Sequence, residues 1–181
     1  MIMIYEFLAD GFEEVEALTP LDMLRRAGAD IKTVSITDSK EVTGAHGVAV
    51  KADMLISEAT ELPELVVLPG GMPGAKNLRN SDAVCRIVTE TWKKGGFIAA
   101  ICAAPFILGE LGLLNGKRAT CYPGFEKSLT GAEVSSEKVV RDGKIITAAG
   151  MGVALAFGAE LVSVLYGAET ANKIMKSVIA V

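Results

Sequence analysis

The chain carries little that would bind nucleic acid, metal or membrane. Its formal net charge is −4 and its lysines and arginines are scattered, so no basic stripe exists to neutralise phosphates and nucleic acid is not expected as a partner. The acidic balance serves solubility. No apolar run approaches the roughly 20 residues of a membrane-spanning helix. The opening Met1–Ala9 is apolar, but it lacks a basic leader and meets Asp10, Glu13 and Glu14 at once. It is unlike a signal peptide and reads as a strand. Three cysteines without metal-ligand spacing argue for a reducing compartment, the cytoplasm, and no metal is expected. His46 is the only histidine. Repeats and low-complexity segments are also missing, so the chain reads straight through.

What is present is apolar side chain. Half of the 181 residues are hydrophobic and the mean hydropathy is positive, as suits a sheet covered on both faces or a buried subunit interface. The length allows one well-buried core and is short for two, so a single domain over residues 1–181 is expected.

Strand and helix signals alternate. Ile2 to Leu8 is a strand, followed by a helix from about Glu13 to Ala27 that Gly28 ends and Pro20 is expected to kink. Ile31–Ile36 is a second strand. Glu41 to Val50 alternates around Gly44 and Gly47 as a small hairpin or edge extension, with Met54–Ile56 extended after it. Leu65–Leu68 is a central strand, Pro69–Gly74 its loop, and Asp82–Lys94 a helix. A short strand near Ala119–Cys121, a hairpin turning at Asp142-Gly143, and helices over Val153–Tyr166 and Glu169–Val178 complete the chain. Such alternation predicts an α/β three-layer sandwich with a mostly parallel sheet.

One stretch changes character at a cysteine. Phe97–Ile101 is an uninterrupted apolar run, as in a strand buried on both faces, and Pro105 opens a helix continued by Phe106, Ile107, Leu108 and Leu111. Cys102 falls at the turn between them. Small residues Ala100, Ala103 and Ala104 permit a tight nucleophile elbow, and the helix end is expected to favour thiolate. In parallel sheets, loops at the carboxyl ends of central strands converge. Here they bring together Cys102, the Gly70-Gly71 loop and the acidic segment Glu13-Glu14-Val15-Glu16. Glu13 and Glu14 read as helix-end charges. Positions 13 and 16 share a face, so one glutamate can turn inward and have its pKa raised by burial, though spacing alone does not choose which. Without G-x-G-x-x-G or a lysine-serine pair, Gly70-Gly71 reads better as an oxyanion hole than as a phosphate cradle.

These segments resemble a known family. Leu8-Ala9-Asp10-Gly11-Phe12-Glu13-Glu14-Val15-Glu16, Leu68-Pro69-Gly70-Gly71, Ala100-Ile101-Cys102-Ala103-Ala104-Pro105 and Thr147-Ala148-Ala149-Gly150-Met151-Gly152 are similar to the ThiJ/PfpI superfamily, in the branch of the Parkinson-disease protein and its bacterial relatives. The resemblance implies a flavodoxin-like sandwich, a homodimer, a catalytic Cys102 with a protonated Glu16 touching it, and an oxyanion site of Gly70, Gly71 and Ala103. It implies no cofactor. Activities of that branch are conversion of methylglyoxal and glyoxal to hydroxy acids, removal of early glycation adducts, redox sensing and chaperone-like holding. A small reactive carbonyl is the expected substrate.

Two departures stand out. Ala103 follows the nucleophile where protease-like members have histidine, which disfavours a Cys-His peptidase or amidotransferase-type hydrolase. Tyr122, in Cys121-Tyr122-Pro123, stands where the branch carries another histidine, and it is no imidazole base near neutral pH. Catalysis then leans on Glu16. His46 is either a solvent-facing loop residue or, with the helix end at Arg26, an auxiliary group reaching the partner subunit's site.

Overall fold

Apolar runs without alternation become strands covered on both faces, and amphipathic runs become the helices that cover them. A computed structural model describes residues 2–180. In chain order the elements are β1 (Met3–Leu8), α1 (Glu14–Arg26), β2 (Asp30–Ser35), β3 (Glu41–Thr43), β4 (Ala49–Lys51), β5 (Met54–Leu55), β6 (Leu65–Leu68), α2 (Gly74–Asn80), α3 (Asp82–Lys93), β7 (Phe97–Ile101), α4 (Pro105–Glu110), β8 (Arg118–Ala119), β9 (Glu133–Val134), β10 (Val139–Asp142), β11 (Ile145–Ala148), α5 (Ala154–Tyr166) and α6 (Ala168–Ser177).

The main sheet runs β10-β11-β7-β6-β1-β2-β5. Every neighbouring pair is parallel except β10 with β11. From β1 the chain steps outward to β2 and β5, then returns to build β6, β7 and β11 on the other side. The order therefore reverses between β1 and β6, where loops at the carboxyl ends part and leave a crevice. Leu78, Val84, Val88, Ile107 and Leu108 of α2, α3 and α4 cover one face. Leu21, Leu24, Phe157, Leu161 and Ile174 of α1, α5 and α6 cover the other. The expected three-layer, flavodoxin-like sandwich is the observed architecture. No helix among the described residues is long and apolar enough to cross a membrane.

Several local expectations differ from the structure. The Pro69–Gly74 loop does not lead directly to the Asp82 helix, because α2 intervenes, with Ala75 and Leu78 buried against the sheet. The strand expected at Ala119–Cys121 is β8, which pairs in parallel with β9 in a small separate sheet. The 41–50 segment forms an antiparallel hairpin, β3 with β4, that also stands apart from the main sheet. α1 continues through Pro20 as one helix. The proline forfeits a single hydrogen bond, to the carbonyl four residues back, while α1 is held along its length by α5. Gly158 allows that close approach, since a methyl group there would stand 2.6 Å from the Met23 sulfur and 3.2 Å from the Pro20 Cα.

Candidate active site

Three loops at the reversal point are stitched together by backbone. Glu13 N donates to Gly70 O at 2.9 Å and Gly74 N to Gly11 O at 3.1 Å, tying the loop after β6 to the loop after β1. Cys102 N donates to Ala148 O and Tyr122 N to Cys102 O, both at 2.8 Å, fixing the elbow to β11 and to the 120–125 segment. Cys102 itself has φ 64°, in the left-handed region. For a residue with a Cβ such a conformation costs about 1–3 kcal/mol and persists only where the surroundings enforce it. It aims the thiol into the crevice.

Of the three glutamates, Glu16 is the one turned toward the thiol, and it is 1% exposed. Its Oε2 accepts from Gly70 N at 3.0 Å, its carboxyl lies beside Cys102 across Gly70, and its buried Oε1 has no hydrogen-bond partner among the described residues. Glu13 is the N-cap of α1, accepting from Glu16 N at 2.7 Å. A methyl group at Gly70 would overlap both Glu16 Oε2 and the Cys102 Cβ, and one at Gly71 would overlap the backbone of Glu13. Glycine at both positions is what lets the carboxyl, the thiol and the loop backbone share one place.

Burial raises the Glu16 pKa to about 7, helped by the Glu13 charge and opposed by the Cys102 thiol and the nearby N–H groups of Gly70 and Met151. Burial also raises the Cys102 thiol, to about 12, and the adjacent Glu16 charge and hydrogen bond push it further, while the N–H groups of Ala103 and Gly71 pull it down. The expectation that the helix end alone favours thiolate is therefore corrected. α4 has only six residues, and its pull is outweighed by burial and by a carboxylate next door. Burial is the larger cause, and the part of the thiol's resistance that the Glu16 charge adds is present only while Glu16 is ionised. Once the proton sits on Glu16, the carboxyl donates to sulfur and the repulsion is gone, so the two groups hold one proton between them.

The remaining predicted residues divide. Ala103 and Gly71 direct N–H groups at the sulfur. Gly70 does not serve as an oxyanion donor, because its N–H is taken by Glu16. The Tyr122 ring borders the site at Gly150. His46 is 71% exposed in its side chain, with Nδ1 2.7 Å from Glu14 Oε2, and Arg26 pairs with Asp22 at 2.6 Å on the surface. Neither hydrogen-bonds Cys102 or Glu16 within the chain.

Glu14 does more than place a charge at the helix end. Its Oε1 accepts from His46 N at 2.7 Å and its Oε2 meets the His46 ring, so it clamps the hairpin loop onto α1. Burial works to raise the Glu14 pKa, but the hydrogen bonds from His46 and Val48 outweigh it and the pKa is lowered. A methyl group at Gly44 would collide with this carboxylate. The glycines flanking His46 were the available signal, but nothing in the sequence linked them to a residue 32 positions away. Ligand atoms of Glu13, Glu14 and His46 lie within 4.8 Å of one another. That donor set can hold a cation, yet its groups already bond to one another and to backbone.

The sequence pattern of the DJ-1/PfpI family matches residues 3–164. The chain is 39% identical over 170 residues to Protein DJ-1 homolog B of Arabidopsis thaliana, covering 92% of this chain and 39% of the plant protein. It thus spans less than half the length of the plant DJ-1 homologues it matches. It is 32% identical over 160 residues to a protein of Pyrococcus abyssi named a deglycase, covering 87% of this chain and 95% of that one. Among solved structures, oxidised Toxoplasma gondii DJ-1 superposes with a TM-score of 0.96 at 37% identity, covering 99% of this chain and 98% of the other. Agreement in pattern from β1 into α5 and in fold over nearly the whole length shows that the chain belongs to the DJ-1/PfpI family.

Proposed function

We propose that the protein is a cofactor-independent enzyme that converts reactive 2-oxoaldehydes to 2-hydroxy acids, with Cys102 as nucleophile and Glu16 as proton carrier, in protection against carbonyl stress. The observation that carries this reading is the buried Glu16 carboxyl, its pKa raised to about 7, set beside the thiol of a strained elbow. A group that changes protonation near neutral pH beside a nucleophile is suited to take a proton and return it. The relative named a deglycase supports the same class of chemistry.

With methylglyoxal, the thiol proton passes to Glu16 as sulfur bonds to the aldehyde carbon. The developing oxyanion is stabilised by the Gly71 and Ala103 N–H groups and then takes the proton from Glu16, giving a hemithioacetal. Carboxylate Glu16 removes the hydrogen from that carbon and delivers it to the neighbouring carbon through an enediol. The product is a thioester of the hydroxy acid. Water cleaves it, releasing lactate and restoring the thiol, so the net reaction consumes one water and no external oxidant or reductant. Following lactate from purified protein and methylglyoxal tests the reading: Cys102-dependent lactate is expected, and none, or lactate undiminished in Cys102→Ser, contradicts it.

A second reading has one observation in its favour, the oxidised state of the Toxoplasma gondii relative. Peroxide would oxidise the Cys102 thiolate to a sulfinate whose oxygens meet protonated Glu16 and the Gly71 and Ala103 N–H groups, making the site a redox sensor or the switch of a holdase. Mass spectrometry after mild peroxide decides. Selective oxidation at Cys102 is expected, and equal oxidation of Cys85 and Cys121 contradicts it.

A further inference from the structure

Beside the reacting pair, the crevice opens at Gly150. Its φ of 161° is extended backbone that any residue adopts, so the chain turn does not require glycine there. A methyl group on Gly150 would stand 3.3 Å from the Tyr122 Cδ2 and 3.9 Å from the Glu16 Oε1. The Tyr122 ring and the Glu16 Oε1 therefore border the same bare backbone. Tyr122 is anchored through its main chain, N to Cys102 O at 2.8 Å, while its side chain is left 51% exposed. From there a trough of about 420 Å³ runs outward, lined by Tyr122, Pro123, Gly150, Met151 and Val153, with Lys138 as its one charged lining residue. Met151 is 53% exposed. An aromatic face and a thioether beside an open glycine form a slot for a flat apolar group, which stacks on the ring and meets the sulfur at its edge.

We infer that this trough is the subsite for the carbonyl substituent of the 2-oxoaldehyde, and that Tyr122 makes the enzyme favour aryl over methyl substituents. The inference rests on the roles assigned above to Cys102 and Glu16. An aldehyde carbon held at sulfur, with its neighbour within reach of Glu16, sends its substituent past Gly150 into the trough. A methyl group leaves most of that volume to water, whereas a phenyl ring fills the slot against Tyr122.

The test is the ratio of kcat/KM for phenylglyoxal, read as mandelate, to that for methylglyoxal, read as lactate. Tyr122→Phe keeps the ring and is expected to keep the ratio. Tyr122→Ala is expected to lower it about 3- to 10-fold, the worth of one aromatic pair. Gly150→Ala, which narrows the slot, is expected to lower it as well. An equal fall for both substrates in Tyr122→Ala, with the ratio unchanged, would make Tyr122 a structural residue and overturn the inference while leaving the proposed chemistry intact. If the unaltered protein turns over neither aldehyde, the proposed chemistry fails and the subsite fails with it.

Discussion

At the scale of single residues, the proposed chemistry and its pH dependence rest on a proton shared by Cys102 and Glu16. Glu16 accepts the thiol proton only when ionised, and its pKa is raised to about 7. Turnover is therefore expected to fall as pH drops through about 7, and a kcat/KM profile flat from pH 5 to 8 contradicts this. His46 titrates in the opposite sense. Its pKa is raised above 6.5 by the hydrogen bond and charge of Glu14, so the stability it lends the hairpin loop is fully present below 6.5 and is lost as pH rises through the higher folded value. Hydrogen exchange of residues 44–48 is expected to quicken in His46→Ala at pH 6 and to match the unaltered protein at pH 9. Cys102 was legible in the sequence because an apolar strand pattern stops there and a proline-led helix begins. The choice of Glu16 was legible only through the family resemblance, since three glutamates in four positions look alike until the fold decides which one faces the thiol.

At the scale of elements, β1 contains a conflict with its surroundings. Glu6 is 0% exposed, and neither of its carboxyl oxygens has a hydrogen-bond partner among the described residues. Burial drives its pKa well above 4.5, with Asp53 raising it further against the pull of Arg25. The neutral acid stabilises the fold fully below 4.5, and that contribution is lost as pH rises through the raised folded value. Glu6→Leu removes the orphan oxygens and is expected to add about 1–3 kcal/mol of stability, with a larger gain at pH 8 than at pH 5. Urea midpoints at the two pH values measure it, and no gain at either contradicts the account. Sequence periodicity could not reveal this residue, because one glutamate in a strand reads as solvent-facing. α2 was hidden for another reason: Gly74-Ala75-Lys76-Asn77-Leu78 follows two prolines and two glycines, and only burial of Ala75 and Leu78 against the sheet makes it a helix.

At the scale of the whole molecule, alternation of strand and helix signals was enough to expect the sandwich and the convergence of three loops, while pairings of short strands such as β8 with β9 depend on contacts no local pattern encodes. The surplus of apolar residues has a visible outlet. Val15 and Leu155 are 42% and 43% exposed, and with Leu18 and Met23 they line a groove along α1. We expect a second copy of the chain to cover it, in a homodimer joined through α1 and the Gly44–Gly47 loop, which would also bring His46 and Arg26 towards the partner's crevice. Light scattering after size exclusion checks this, and a monomer at micromolar concentration contradicts it. The central claim, that Glu16 carries the proton for a Cys102 nucleophile, is tested most directly by Glu16→Gln assayed in two ways on one preparation. Glutamine keeps the size and hydrogen-bonding capacity of the side chain and removes its charge, so iodoacetamide should still alkylate Cys102, at a lower apparent pKa than in the unaltered protein, while lactate production from methylglyoxal falls about 10²- to 10⁴-fold. Near-native lactate production by this variant would contradict the account.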